Sequence, residues 1–266
     1  MKTFDGKIVF VTGGSRGIGK TIALEFANLG ADIAFNYFRS DKSASETQNE
    51  IEKKGVRCLK IRSNLSDTNK VKEMFKEIKN YYGKLDILIN NAASGVQKSA
   101  AELEEKHWDW TMNINAKAPW VCSIEASKLM ESGGNIVNIT SEGSRHVLPY
   151  YFSVGTSKAA LESVTRYLAV ELSQRNISVN AVSGGYIETD ALNSFPNKDS
   201  MLESGQKTLI DRPISKKDVA DAVVFLCSEK GNAIRGQIIV VDGGASLKVL
   251  WQIFVRIIVV LFQLRL

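Results

Sequence analysis

Thr12-Gly13-Gly14-Ser15-Arg16-Gly17-Ile18-Gly19 lies between an apolar, β-branched run, Lys7 to Thr12, and a segment in which Ile18, Ile22, Phe26 and Leu29 recur at spacings of four, four and three. The first pattern is that of a strand, the second that of a single apolar helical stripe, which Gly30 ends. Small residues in the turn let the backbone approach a pyrophosphate, and the helix beyond presents its N-terminal amides to that negative charge. The Gly-x3-Gly-x-Gly spacing in a strand-turn-helix setting predicts a dinucleotide site at Gly13, Ser15, Arg16, Gly17, Ile18 and Gly19. At the end of the second strand, where a carboxylate would hold the ribose hydroxyls of NAD, the chain reads Asn36-Tyr37-Phe38-Arg39-Ser40. Arg16 and Arg39, with Ser40, are suited to clamp a 2′-phosphate instead, so NADPH is the expected cofactor.

Outward from this unit, six more short apolar runs alternate with helical patterns: Asp32 to Tyr37, Arg57 to Arg62, Leu85 to Asn90, Asn135 to Thr140, Ser178 to Val182 and Gln237 to Val241. That alternation is the signature of βαβ units and a parallel sheet. Thr156 to Gln174 reads as a helix with Ala160, Leu161, Val164, Leu168 and Leu172 on one face. No Pro- or Ser-rich linker divides the 266 residues, so one domain over residues 1–249 is expected. Residues 188–212 lack a firm period and read as a lid. Residues 250–266 form an apolar tail whose unbroken apolar run, Ile257 to Phe262, is too short to span a bilayer. A non-native extension, an interface with another subunit and attachment to a membrane surface are its options, the first preferred.

The 34 basic and 29 acidic residues leave a net charge of +5, too diffuse to indicate nucleic-acid binding. Cys58, Cys122 and Cys227 are too scattered for a disulfide framework or a zinc site, and His107 and His146 too few for a metal centre. With a polar start that leaves no room for a signal peptide, the expectation is a cytoplasmic protein without a transmembrane span.

The Thr12–Gly19 turn, Asn90-Asn91-Ala92 after the fourth run, and a Ser and Lys around the fifth run and its following helix together resemble the short-chain dehydrogenase/reductase family, over about residues 5–247. The resemblance implies a doubly wound Rossmann-type α/β domain with seven parallel strands flanked by helices, usually assembled as a homotetramer. It also implies that Asn64 and Leu65 flank the adenine, Asn91 and Ala92 border the ribose, and Ile187 and Thr189 meet the nicotinamide end.

The family's usual chemistry needs a tyrosine four residues before a lysine, but Val154 stands four before Lys158. Tyr151 lies seven before it, and seven helical positions return to within about 20° of the same azimuth. This Tyr-x6-Lys spacing, with Ala92-Ala93-Ser94-Gly95, His107 to Asn115, and Ala181-Val182-Ser183-Gly184-Gly185, resembles the NADPH-using type III bacterial enoyl-acyl-carrier-protein reductases. It implies reduction of the 2,3 double bond of a trans-2-enoyl thioester delivered by acyl carrier protein in fatty-acid elongation. Tyr151 would stabilise the enolate oxygen and Lys158 would hold the nicotinamide ribose. Tyr150, eight positions from Lys158, ranks second as the acid. Ser141 resembles the family's serine and Asn115 its asparagine. Pro119, lacking an N–H, is expected to kink the helix at Asn115 so that its carbonyl binds a water feeding Lys158.

Leu192, Phe195, Met201 and Leu202 are expected to form an acyl-accepting wall, and Lys198, Lys207, Arg212, Lys216 and Lys217 to meet an acidic carrier or simply face solvent. Two alternatives stay open: a 3-oxoacyl or other carbonyl reductase of the same fold, and an inactive NADPH-binding regulatory or scaffold protein.

Overall fold

Each of the seven apolar runs is a strand, with ends within two residues of the expected ones: β1 Ile8–Val11, β2 Asp32–Tyr37, β3 Cys58–Arg62, β4 Ile87–Asn90, β5 Gly134–Ser141, β6 Ile177–Gly184 and β7 Ile238–Val241. The computed structural model describes residues 3–188 and 208–247. Within them the strands form one parallel sheet in the order β3-β2-β1-β4-β5-β6-β7. Parallel strands require crossovers. Those seen are α1 Gly17–Asn28, α2 Asp41–Glu52, α3 Thr68–Tyr82, α4 Glu105–Met112 running through a π turn into α5 Ala118–Ser127, and α6 Phe152–Glu171. α7 Lys216–Cys227 precedes β7.

Side chains of a strand alternate between the faces of the sheet. Val9 and Val11 of β1 point into one apolar layer with Ile22 and Phe26 of α1, Ile51 of α2 and Val219 and Val223 of α7. Ile8 and Phe10 point into the other, with Met74, Phe75 and Ile78 of α3, Cys122 of α5 and Leu168 of α6. Helices therefore cover both faces, the doubly wound arrangement.

Three helices start on conventional caps: Ser40 accepts from Ser43 N for α2, Asp67 from Asn69 and Lys70 N for α3, and Ser215 forms a capping box with Asp218 for α7. α1 has neither a capping side chain nor an acidic residue in its first turn. Its end faces the crevice between β1 and β4, where the strand order reverses and such sheets bind ligands.

The expected lid falls mostly outside the described residues, as do Thr189, Leu192, Phe195, Met201, Leu202, Lys198, Lys207 and the 250–266 tail. Its described return limb is tied down: Leu209 N donates to the Gly243 carbonyl (2.6 Å) in the turn after β7. No described helix is long and apolar enough to cross a membrane.

Phe10 is fully buried and meets Phe75 edge-on at 5.4 Å between ring centroids. Phe10→Ala should therefore lower unfolding free energy by about 3–5 kcal/mol, read from urea titration, without changing the m-value.

Candidate active site

The carboxyl ends of β1 to β6 surround a cavity of about 630 Å³. Its floor is the glycine turn, held from two sides. The Asn36 amide accepts from Gly13 N (2.8 Å) and donates to the Ser63 carbonyl (3.1 Å). The Thr12 hydroxyl accepts from Asn91 N (2.9 Å) and Ala92 N (3.0 Å), and Asn91 Nδ2 returns to the Thr12 carbonyl (2.9 Å). A Cβ on Gly19 would fall 2.4 Å from Asn91 Nδ2, so the turn closes only with hydrogen there. Gly17 has φ +59°, a left-handed backbone, and nothing within 4 Å of where a Cβ would stand. Open space thus lies in front of the uncapped amides of α1. The turn fits a dinucleotide pyrophosphate: the concavity is built, and the donors facing it have no side-chain acceptor.

At the far end, Tyr37, Phe38, Arg39, Ser40, Asn64 and Leu65 line the same cavity, with Arg16 opposite. Asp41, the nearest carboxylate in sequence, is engaged elsewhere, by the Tyr37 hydroxyl and Lys60. Among the described residues neither Arg16 nor Arg39 pairs with a carboxylate, which leaves both guanidinium groups for an anion.

At the reacting end the structure brings Ser141, Tyr151 and Lys158 into the cavity. Tyr151 does not sit on one continuous helix about two turns before Lys158, as the spacing suggested. α6 begins at Phe152, and Tyr151 is its N-cap with φ −106° and ψ 13°. Tyr150 just before it is left-handed (φ 60°), points outward and is 49% exposed, so the second-ranked phenol lies off the cavity. The turn carries the Tyr151 hydroxyl to 3.4 Å from Ser141 Oγ. A slot at Gly143 receives the ring: a Cβ on Gly143 would stand 2.5 Å from Tyr151 Cδ1 and Cε1. Val154 is buried over Gly95, whose hypothetical Cβ would be 2.3 Å from it. That packing leaves no room for an aromatic four before Lys158.

Burial pushes the Tyr151 phenol above its usual value, and the Ser141 contact offsets part of this. Burial alone lowers Lys158 to about 8. Its Nζ donates to the Ile139 carbonyl of β5 (2.7 Å), its one hydrogen bond among the described residues, leaving two N–H groups for the cavity.

Asn115 is not in the cavity lining. Its side chain accepts from Ser94 N (2.9 Å) and donates to Ser94 O (2.8 Å) and Ser157 Oγ (3.0 Å), pinning the loop after β4 to α6. The expected kink takes the form of a π turn over Asn113–Lys117, with Ala118 N bonding Asn113 O, ahead of the amide that Pro119 lacks. Ile187 lines the cavity. Of the basic residues expected to meet a carrier, Arg212 is held bidentately by Asp218 and Lys217 by Asp221. The sequence reading missed Trp110, Leu148 and Tyr186, which wall the reacting end, and Glu142 beside Ser141. The Trp110 indole, bonded to Ser94 Oγ (2.9 Å), was foreshadowed only by its place in the His107–Asn115 stretch.

A family model described as Enoyl-(Acyl carrier protein) reductase matches residues 13–246. The 1-cyclohexenylcarbonyl-CoA reductase of Streptomyces collinus is 35% identical over 246 residues, covering 91% of this chain and 87% of that protein. The 3-oxoacyl-(acyl-carrier-protein) reductase FabG of Staphylococcus epidermidis is 36% identical over 242 residues, covering 90% and 98%. A short-chain dehydrogenase from Burkholderia cenocepacia J2315, crystallised in complex with NADP, matches with a TM-score of 0.85 and 34% identity, covering 92% of this chain and 99% of that one.

The near-full-length likeness to 3-oxoacyl-(acyl-carrier-protein) reductases overturns the expected reduction of an enoyl double bond. The specific resemblance to the type III enoyl reductases is corrected with it. The Tyr151 hydroxyl stands beside the β5 serine.

The depressed Lys158 has a thermodynamic signature. The folded state releases its proton near pH 8 and the unfolded chain near 10.5, so this group adds stability as pH rises between those values. Lys158→Met should be more stable than the natural chain at pH 7, by a margin that shrinks by about 2–3 kcal/mol at pH 10 in urea titrations.

Proposed function

Because the chain belongs to the short-chain dehydrogenase/reductase family, we propose that it is an NADPH-dependent carbonyl reductase acting on 3-oxoacyl thioesters, delivered by acyl carrier protein. The observation that carries this reading is the Ser141–Tyr151 hydroxyl pair, 3.4 Å apart at the carboxyl edge of the sheet. Both hydroxyls face the cavity there, close enough together for one carbonyl oxygen to meet both.

NADPH supplies the hydride when bound. The amides of the Gly13–Gly19 turn would hold its pyrophosphate, Arg16 and Arg39 its 2′-phosphate, Asn64 and Leu65 its adenine, Asn91, Ala92 and Lys158 its riboses, and Ile187 its nicotinamide end. Bound NADP in the Burkholderia relative supports the cofactor.

Ser141 Oγ donates to the substrate oxygen and orients it. The Tyr151 hydroxyl, kept protonated by burial, donates to the same oxygen and gives up its proton as negative charge develops there. The resulting alcohol carries the phenol's proton on oxygen. Lys158, with a pKa of about 8, is mainly an ammonium at pH 7, and its field favours the phenolate left behind. Trp110, Leu148 and Tyr186 exclude water around the reacting carbon.

Exposed apolar side chains on α5 and α6, Trp120, Tyr167 and Val170, support self-association, consistent with a homotetramer. The pairing of Arg212 and Lys217 with neighbouring carboxylates weakens their claim to a carrier-docking face, and support for the carrier comes from the named 3-oxoacyl relative.

The deciding assay follows NADPH oxidation with acetoacetyl and crotonyl thioesters. Acetoacetyl turnover at least tenfold faster is expected, and crotonyl turnover equal or faster would overturn the reading. In the same assay Tyr151→Phe should lower kcat by about 10²–10⁴-fold while Tyr150→Phe stays within about twofold. In fluorescence titrations the paired change Arg16→Ala and Arg39→Ala should weaken NADPH binding by about 10–100-fold and NADH binding by under about threefold.

A further inference from the structure

Glu142 follows Ser141 in a short 3-10 turn and lines the cavity. No cation pairs with it among the described residues, and its Oε1 is buried without a hydrogen bond. Its carboxyl is hydrogen-bonded to that of Asp242, one hundred residues on, in the turn after β7. Two carboxyl groups joined this way must share a proton.

Asp242 is the anchored partner. It is buried, and its oxygens accept from Gly244 N (2.8 Å) and Ser246 N (2.9 Å). Burial opposes its ionisation, but the bonds from Ser246 and Gly244 outweigh that and hold its carboxyl below the ordinary value. Gly185, at the end of β6, lets it sit close, since a Cβ there would be 3.0 Å from Asp242 Cβ. Glu142 is pushed up to about 7 by burial and by Asp242. The proton therefore resides on Glu142.

The other groups around Glu142 leave that proton in place. Tyr186, beyond β6, carries a phenol held neutral chiefly by burial. Arg145 of the same loop turns away to Glu162 (3.3 Å). Tyr151, from the head of α6, reaches Ser141 with a neutral hydroxyl.

What the pair holds is the reacting end. Gly143, next to Glu142, donates its N–H to Ser141 Oγ (3.3 Å) and provides the slot for the Tyr151 ring. We propose that Glu142 is a positioning residue for the reduction: protonated and bonded to Asp242, it ties the Ser141–Gly143 turn to the end of β7, and its ionisation releases the tie. This rests on the reading of Ser141 and Tyr151 as the reducing pair.

The sign follows from the raised value. Between about pH 4.5 and 7 the folded chain keeps a proton that the unfolded chain has lost, so the tie's contribution is complete below that window and gone above it. Above pH 7 two adjacent carboxylates repel.

The test compares E142Q and E142A with the natural chain. Glutamine can donate to Asp242 without a titrating proton. The natural enzyme's kcat should fall about three- to fourfold as pH rises from 6 to 7.5, with KM changing less than about twofold. E142Q should lack that limb while keeping the separate Lys158 limb near pH 8, and E142A should have a kcat at least tenfold below that of E142Q at pH 6. An E142Q profile falling with the natural one, or an E142A rate equal to it, would overturn the proposal. Infrared difference spectra give a readout without turnover. A protonated-carboxyl band that disappears near pH 7 in the natural chain and is missing from E142Q supports the pair, and its absence from the natural chain refutes it. Should no 3-oxoacyl thioester be reduced, the function reading fails while the infrared result still decides the pair. The same spectra decide it if E142A does not fold.

Discussion

The Thr12 hydroxyl, accepting from the amides of Asn91 and Ala92, is the contact on which the site depends. It spans the point where the strand order reverses, between β1 and β4, and therefore sets the width of the crevice there. Asn36 braces the same turn from the β2 side. With both in place, the amides of the glycine turn are fixed in direction before any anion arrives, so little ordering is left for binding to impose. The two apolar layers keep the strands parallel and their carboxyl ends level, but these polar braces turn that edge into a receptacle.

The reacting end shows one electrostatic tendency throughout. Burial raises Tyr151, lowers Lys158 and raises Glu142, in each case favouring the uncharged form. A phenol in such surroundings stays a proton donor, while the lysine sits close enough to neutral pH to change charge in response to what binds beside it. These shifts share a leading cause, burial at one end of the cavity.

Much of the fold was legible because its determinants are local. Seven β-branched runs, one glycine turn and one Arg-bearing strand end each carry their message within a few residues, and the doubly wound family resemblance needed no more. Spacing singled out Tyr151 and Lys158, which both line the cavity, but the continuous helix assumed for them is not there, since α6 begins at Phe152 after left-handed Tyr150. The reason for the missing aromatic at 154 was hidden as well, because Gly95, against which Val154 packs, lies 59 residues away. Asn115 carried a family signal yet serves as a brace between the loop after β4 and α6. Glu142 and Asp242 had no sequence signal, being brought together only when β5 and β7 end on the same edge. The place of the Tyr151 hydroxyl was the hardest to read, because the turn before α6, and not a continuous helix, brings it beside Ser141.

The slot at Gly143 consists of missing atoms, and Gly155, whose own Cβ would strike the Gly143 carbonyl at 2.5 Å, guards its rear. Its occupant is therefore defined by shape and not by rank along the chain. Any ring that the turn before α6 can thread into that notch would fit it, whichever residue carries it. A side chain at either glycine would close the notch, so its two bare α-carbons do as much to place the phenol as the phenol's own position in the chain.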